Sequence, residues 1–511
     1  MKKALCLLAP LLAASLLAGT ARADERQELE ALRGATLNLI RLLVNEGVLS
    51  QEKANTLLKQ AESAAAAPGE RKPPVVRVPY VPEVVKEQIK EQIREEVMQQ
   101  ARAERWAAPN TLPAWVNGIS LYGDVRFRYQ YDRLDEDNAP AVFFQAAGQN
   151  INNTTEDRHR LRVRGRIGLR AKLGDTVEAG FGLATGSVGS TGSPNSTNNT
   201  LGDYLNRQAA GIDLAYVQWE PYQWLRLNGG RFQNPFFSSD LLWASDLNFD
   251  GAALGLRPRF TENFQGMFTI GAFPLKDNEP TAANPTLRNK WLYGAQAGFE
   301  YALAGGSRLK AGLALYDFQH AEGIPNTDLL NPNRSDWTAP SFRQKGNTLF
   351  PINFFGNPPL FGLASKFRII NLTGELDIAS YDPVHITLLG DYARNIGFDR
   401  SEIQRRTGGL DLVPQNSAWQ ARLQVGHKRI EREFDWFAFG GYRRVERDSV
   451  MDAFNDGDFN LGGTNAKGWM VGGGLGVARN AWIGLKYSTA NQISGAPLAI
   501  DVLQLDFNAR F

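Results

Sequence analysis

Cysteine is nearly absent, since the one thiol, Cys6, lies in the apolar run that opens the 511-residue chain. Without that run the chain has no disulfide, no Cys-based metal site and no Cys nucleophile, a composition that suits an oxidising compartment. Net charge is scarce as well. The formal total is +2, and removing Lys2, Lys3 and Arg22 with a cleaved leader leaves 53 basic residues against 54 acidic ones. That total supports no polyanion or nucleic-acid partner, so any anion preference must come from local arrangement. Long apolar stretches are missing beyond the leader, and a mean hydropathy of −0.32 with 22% charged residues excludes a bundle of membrane helices. Histidine is rare and dispersed. His159, His320, His385 and His427 fall in separate segments without metal-ligand spacing, and there is no Gly-x-Ser-x-Gly elbow or phosphate loop. No enzyme, metal or cofactor is expected.

What the chain does have is alternation. In the last stretch Leu503, Leu505, Phe507, Ala509 and Phe511 share one parity, while Gln504, Asp506, Asn508 and Arg510 share the other. A strand there has one apolar and one polar face. Ending on an aromatic residue, it resembles the terminal-Phe signature of Gram-negative outer-membrane barrels, so Phe511 is expected to be read by the barrel-assembly machinery. Average hydropathy does not register such barrels, because their apolar residues occupy alternate positions. The 50 Gly, 28 Phe, 14 Tyr and 11 Trp fit crowded walls and interfacial aromatic girdles. At the other end, Lys2 and Lys3 precede an apolar run to Ala18, and Ala21-Arg22-Ala23 supplies a small-x-small cleavage site. Residues 1–23 read as a signal peptide.

Residues 24–67 carry helical periodicity: Leu29, Leu32, Leu39 and Leu43, a break at Gly47, then a second helix that Ser50 can cap. Five prolines make 68–82 a stiff linker. Over 83–105, Val85, Ile89, Ile93 and Val97 form a narrow apolar stripe on a charged helix that needs a partner. The stretch 106–511 reads as the barrel, and beyond Trp115 the period becomes two, with about sixteen segments of roughly ten residues, enough for tilted membrane strands. Their expected starts are Ile119, Arg160, Thr176, Ile212, Trp224, Gly251, Phe264, Trp291, Ser307, Phe367, Val384, Ala418, Phe434, Lys467, Ala481 and Ile500. Short links such as Gly174-Asp175 and Arg479-Asn480 alternate with long ones such as 319–366, as bacterial barrels with short periplasmic turns require. The expected fold class is an all-β transmembrane antiparallel barrel of about sixteen strands behind a small α-helical periplasmic region.

Four landmarks carry a family likeness: Ser196-Thr197-Asn198-Asn199-Thr200-Leu201-Gly202, Ala215-Tyr216-Val217, Gly230-Arg231-Phe232-Gln233-Asn234-Pro235-Phe236 and Gly463-Thr464-Asn465-Ala466-Lys467-Gly468. In this order they resemble the bacterial putative-porin family, with Asn199 standing where Gln is the rule. The resemblance implies an outer-membrane porin barrel behind a periplasmic helical segment, and it implies no particular solute.

One constellation bears on transport. Arg158, Arg160, Arg162, Arg164, Arg166, Arg170 and Lys172 share a parity, as do Arg126 and Arg128 one strand earlier. An arginine facing lipid at the midplane costs roughly 2 to 4 kcal/mol, so this ladder must line the lumen. Its rungs, roughly 7 Å apart, suit passing anions. Acidic neighbours, Asp124, Asp132 and Glu178, offer the competing outcome of a neutralised row. The stretch 233–250 is expected to fold inward as a constriction loop, with Asn234 and Phe236 opening it and Asp240 and Asp246 meeting the ladder. The aromatic stretch 319–366 is expected to plug the mouth or latch onto a neighbouring subunit. The expected activity is passive diffusion of small hydrophilic solutes. Expected partners are outer-membrane lipid and lipopolysaccharide, with a homotrimer and peptidoglycan as further candidates. A structural tether between barrel and cell wall is the alternative.

Overall fold

A computed structural model describes residues 118–511 apart from 190–191, 283, 329 and 354–358. The signal peptide, helical hairpin, Pro-rich linker and amphipathic helix expected over 1–105 lie outside the described residues. Alternation does what it predicts, and sixteen strands close into one antiparallel barrel. The first half of the wall is β1 (Ile119–Leu134), β2 (Arg158–Leu173), β3 (Val177–Thr185), β4 (Ala210–Tyr222), β5 (Leu225–Gln233), β6 (Asn248–Leu256), β7 (Phe264–Lys276) and β8 (Lys290–Ala302). The second half is β9 (Arg308–Gln319), β10 (Phe367–Tyr381), β11 (Val384–Asn395), β12 (Ser417–Gly426), β13 (Trp436–Val445), β14 (Ala466–Ala478), β15 (Ala481–Gln492) and β16 (Ala499–Arg510). Closure removes both sheet edges.

β1 and β16 make the seam, running from Asp124 opposite Arg510 to Leu134 opposite Ile500. Beyond it, Phe511 and Gly123 exchange backbone hydrogen bonds of 3.0 and 3.1 Å. The Phe511 ring covers Gly123 so closely that a Cβ there would sit 2.5 Å from it, so this position needs glycine. Outward positions such as Leu121, Phe127, Leu169, Phe181, Leu485 and Phe507 are exposed around the wall, the apolar band that lipid requires. Trp219 and Trp224 flank one short turn, with Trp224 stacked on Tyr222 at 5.4 Å, as an interfacial girdle does.

Long links gather at one end of the barrel and short ones at the other. The eight long ones are numbered here as loops 1 to 8, of which loop 2 (186–209), loop 3 (234–247), loop 5 (320–366), loop 6 (396–416) and loop 7 (446–465) matter below. Where β3 stops, Asn199–Thr200 of loop 2 pairs with Val163 and Arg162 and extends the wall. Loop 5 carries its own hairpin, Leu349–Asn353 with Leu360–Leu363. Phe350 and Ile352 of that hairpin pack on Ile403 and Leu412 of loop 6. There a helix, Arg400–Thr407, is capped by the Asp399 side chain and ended by left-handed Gly408. Loop 5 thus covers its neighbouring loops at the mouth.

Candidate functional site

Pairing of β1 with β2 sets Arg126 opposite Arg164 and Arg128 opposite Arg162. Like charges directly opposed across strands repel, so this wall needs carboxylates brought between them. Two come from β1 itself. Asp124 accepts from Arg164 and Arg166, each at 2.7 Å, and Asp132 accepts from Arg160 at 2.6 Å. β16 adds Asp506, which takes a bidentate pair from Arg128 at 2.7 and 2.8 Å. Loops supply the rest: Asp458 of loop 7 reaches Arg128 at 2.9 Å, and Asp246 of loop 3 reaches Arg164 and Arg166 at 3.4 and 3.5 Å. The basic wall therefore draws two loops into the lumen. Glu178, expected beside the ladder, instead accepts from the Tyr216 hydroxyl at 2.8 Å.

Some rungs keep their charge uncompensated. Arg162 donates to the Gln130 amide oxygen at 3.1 Å, and Arg170 lies over the Tyr122 ring at 4.5 Å. Neither has an ion-pair partner among the described residues, and the same holds for Arg158 and Lys172 at the two exposed ends of β2.

Loop 3 is pinned from its first residue. The Asn234 carboxamide accepts from the Phe236 amide at 3.0 Å, a local turn that Asn-Pro favours. Gln296 on β8 then holds the Phe237 backbone from both sides, at 2.7 and 2.8 Å. Phe236 is buried, edge-on to Tyr316 at 5.1 Å, and Trp243 meets Phe249 and Tyr316 at 5.0 and 5.1 Å. Leu241 and Leu242 join this cluster with Phe273, Leu292, Phe367 and Ile369 from β7, β8 and β10. An apolar core inside the lumen was not expected from sequence. Its trace is legible only in retrospect, where β9 carries apolar residues on both parities, Tyr316 and Phe318 inward with Leu313 and Leu315 outward.

Asp240 does not join the ladder. It pairs instead with Arg443 of β13 at 2.5 Å, and Arg443 reaches Asp456 of loop 7 at 3.0 Å. The reason is burial: Arg443 is only 2% exposed and cannot shed its proton, so the nearest loop carboxylates are held to it. Burial alone would raise the Asp240 carboxyl, but the Arg443 and Lys486 charges outweigh it and hold the group down at about 2. For Asp246 and Asp458 too, burial is outweighed by the facing arginines, and both sit below the ordinary carboxylate range. Between loop 3 and the ladder remains a polar cavity of 560 Å³, lined by Tyr122, Asp124, Arg166 and Arg170 on the wall and by Ser238 and Asp246 on the loop.

The sequence landmarks fall on these ties. Thr197 donates to Asp246 from its amide and its hydroxyl, and Asn198 accepts from Arg126 at 2.5 Å. Tyr216 leans over Gly180, where a Cβ would lie 2.2 Å from its ring. The Thr464 amide donates to Lys345 O of loop 5 at 2.9 Å. Comparison with protein families matches residues 33–511 to the family described as putative porin. The chain belongs to that family. Among solved structures this porin is similar to Pseudomonas putida OprB at high pH, with 12% identity, a TM-score of 0.46, and coverage of 80% of this chain and 97% of that one. It is also similar to the outer-membrane channel DcaP of Acinetobacter baumannii, at 12% identity and TM-score 0.40 over 77% of this chain and 97% of that one. Salmonella typhi OmpF in complex with daunomycin gives 11% identity and TM-score 0.41 over 78% and 99%. No curated protein matches. The porin resides in the outer membrane.

At the mouth of the porin, loops 5 and 7 are clamped through buried ionisable groups. Gln344 donates to Asp452 O at 2.5 Å, the Asn347 carboxamide accepts from the Asp452 amide at 2.8 Å, and Lys345 donates to Asn460 O. Burial pushes the Asp452 carboxyl up to about 7, with Arg343 opposing and Asp448 adding. Burial pushes the Lys345 ammonium down to about 7 against Asp132 and Asp452. A raised carboxyl contributes fully below about pH 4, and its contribution is lost as pH rises through 7. The lowered amine acts the other way above 7, where the folded state has shed a proton that the unfolded state keeps until about 10.5. The clamp should therefore be weakest near pH 7 and firmer at both pH 5 and pH 9. Amide exchange in 344–348 and 448–453, corrected for the intrinsic rate, checks this; a monotonic profile refutes it.

Proposed function

We propose that this porin lets small hydrophilic solutes diffuse passively through the passage between loop 3 and the arginine wall, with a preference for anions. The observation that carries the reading is the surplus of cation on that wall. Among the described residues Arg162 and Arg170 lack carboxylate partners, and Arg126 has only the 3.9 Å approach of Asp506 and a neutral bond to Asn198. A guanidinium can hold carboxylate or phosphate by two hydrogen bonds and pass it to the next rung, and a wet lumen keeps each stop shallow. Loop 3 packs its apolar side chains on β7, β8 and β10 and meets the ladder through Asp246, so solutes are steered along the charged face. The even strand number sets both barrel ends on the side of the short turns, which we assign to the periplasm together with the chain before Ile119. Purified barrel added to a planar bilayer should give discrete, ohmic conductance steps. Folded, heat-modifiable protein that never opens would sink the diffusion reading.

A further inference from the structure

A second cavity opens above loop 3, and its lining differs from that of the passage. It measures 650 Å³ and is walled by Phe249, Phe273 and Leu292 of the strands and Phe454 of loop 7. That size falls within the range of pockets that enclose a small organic molecule. Lys276 and Lys290 stand at its edge, directly opposite each other where β7 pairs with β8. Lys290 shares the inward parity of Leu292, and a bulge at Leu275 brings Lys276 round to face it. Two cations so placed repel, and neither has an ion-pair partner among the described residues. Lys290 is buried and donates only to the carbonyls of Thr338 and Ala339, each at 3.0 Å. Carbonyl dipoles satisfy its hydrogens and leave its charge uncancelled. The one carboxylate in the lining, Asp250, is already held by both its oxygens to Arg231 at 3.0 Å. The cavity thus has a mainly apolar wall that includes the rings of Phe249, Phe273 and Phe454, and an excess of two positive charges at one edge.

The geometry points to a binding site for a small amphipathic anion, an aromatic or branched-aliphatic monocarboxylate whose carboxylate lies between Lys276 and Lys290 and whose apolar body lies on Phe273, Phe249 and Phe454. This rests on the diffusion reading and deepens it, because the site stands before the constriction and would gather such solutes at the mouth. A free carboxylate relieves the Lys276–Lys290 repulsion, whereas a plain inorganic anion leaves the aromatic wall wet and a neutral ring leaves the cations unmatched.

The test uses the full chain in detergent and calorimetric titration with three probes: phenylacetate, acetate and 2-phenylethanol. Phenylacetate should bind saturably, and the other two should each bind at least about tenfold more weakly. Lys276→Gln should weaken phenylacetate by about tenfold and leave 2-phenylethanol unchanged. Lys290→Gln should do the same, and because Lys290 is buried the partly exposed Lys276 variant decides if the other fails to fold. Equal affinity for phenylacetate and 2-phenylethanol, no saturation by phenylacetate, or an unaltered Lys276→Gln protein overturns the site. Conductance measured separately on the same preparation keeps the two ideas apart. A barrel that binds phenylacetate but never conducts overturns the diffusion reading and leaves the site standing.

Discussion

Replacing Asp240 and Asp456 together with Asn should release loop 3 from the barrel wall, and should do so more completely than replacing Arg443 with Met. The Asn pair keeps shape and hydrogen-bonding capacity but leaves the Arg443 guanidinium, 2% exposed and permanently charged, with neutral partners alone: the two carboxamides, the Gln420 carbonyl at 2.9 Å and the Phe459 ring at 5.3 Å. Stranding a buried charge in this way costs roughly 3 to 5 kcal/mol. The Met variant instead strands Asp240, whose side chain is about a third exposed and finds water, and Asp456, which keeps the Asp458 and Phe459 amides as donors, so its cost is smaller. Loop 3 also has its apolar anchors, Leu241 and Trp243, which should keep the barrel assembled in both variants. Amide exchange over 238–247 reads the effect directly. The Asn pair should accelerate it by roughly two to three orders of magnitude, with a larger single-channel conductance as the loop leaves the lumen. Unchanged protection in the Asn pair, or a larger effect in the Met variant, would show that the apolar cluster alone holds the loop.

Why that lock escaped the sequence, while the wall did not, follows from how local each signal is. Strand starts expected at Ile119, Phe264, Phe367, Val384 and Ala481 coincide with those of β1, β7, β10, β11 and β15, and the remainder fall within three residues. A strand's two faces meet different solvents at every step, so each segment carries its own evidence. The alternation that falters at Ile212 and Gly251 does so for physical reasons. A bulge at Asp213 of β4, opposite the step from Gly182 to Leu183 of β3, shifts the register, so Ile212 faces outward while Leu214, of the same parity, is buried. At Gly251 the true start is Asn248, hidden because Phe249 turns to the loop 3 cluster while the neighbouring Asp250 pairs with Arg231. Parity also placed the ladder on the inner face. It said nothing about which loop carboxylate reaches which arginine. Asp240 and Arg443 lie 203 positions apart, and their pairing depends on how deeply loop 3 folds. Asp246, near the end of the same loop, reaches Arg164 and Arg166 on the opposite face of the passage.

That division between paired and unpaired arginines makes ion selectivity the strictest trial of the proposed function. Replacing Arg162, Arg164 and Arg166 together with Gln removes three positive charges from one face of the passage. It also uncovers Asp124, which accepts from Arg164 and Arg166, and Asp246, which reaches both. The local balance should then swing from surplus cation to surplus carboxylate, a larger change than the loss of unpaired rungs alone would cause. Two carboxylates that shared two guanidiniums would face the passing solute instead. Loop 3 loses one tether but keeps its contacts with Thr197, Gln296 and Arg443, so it should remain in the lumen. Conductance mixes charge with diameter, and for that reason the readout is the reversal potential in a salt gradient. The parent should prefer anions, weakly at high ionic strength and more strongly at low, because the screening length shrinks from roughly 30 Å at 0.01 M to roughly 3 Å at 1 M. The triple variant should lose most of that preference or reverse it. A parent that prefers cations, or a variant with the parent's reversal potential, would mean that the loop carboxylates already cancel the ladder and that its arginines serve only to hold the loops in place.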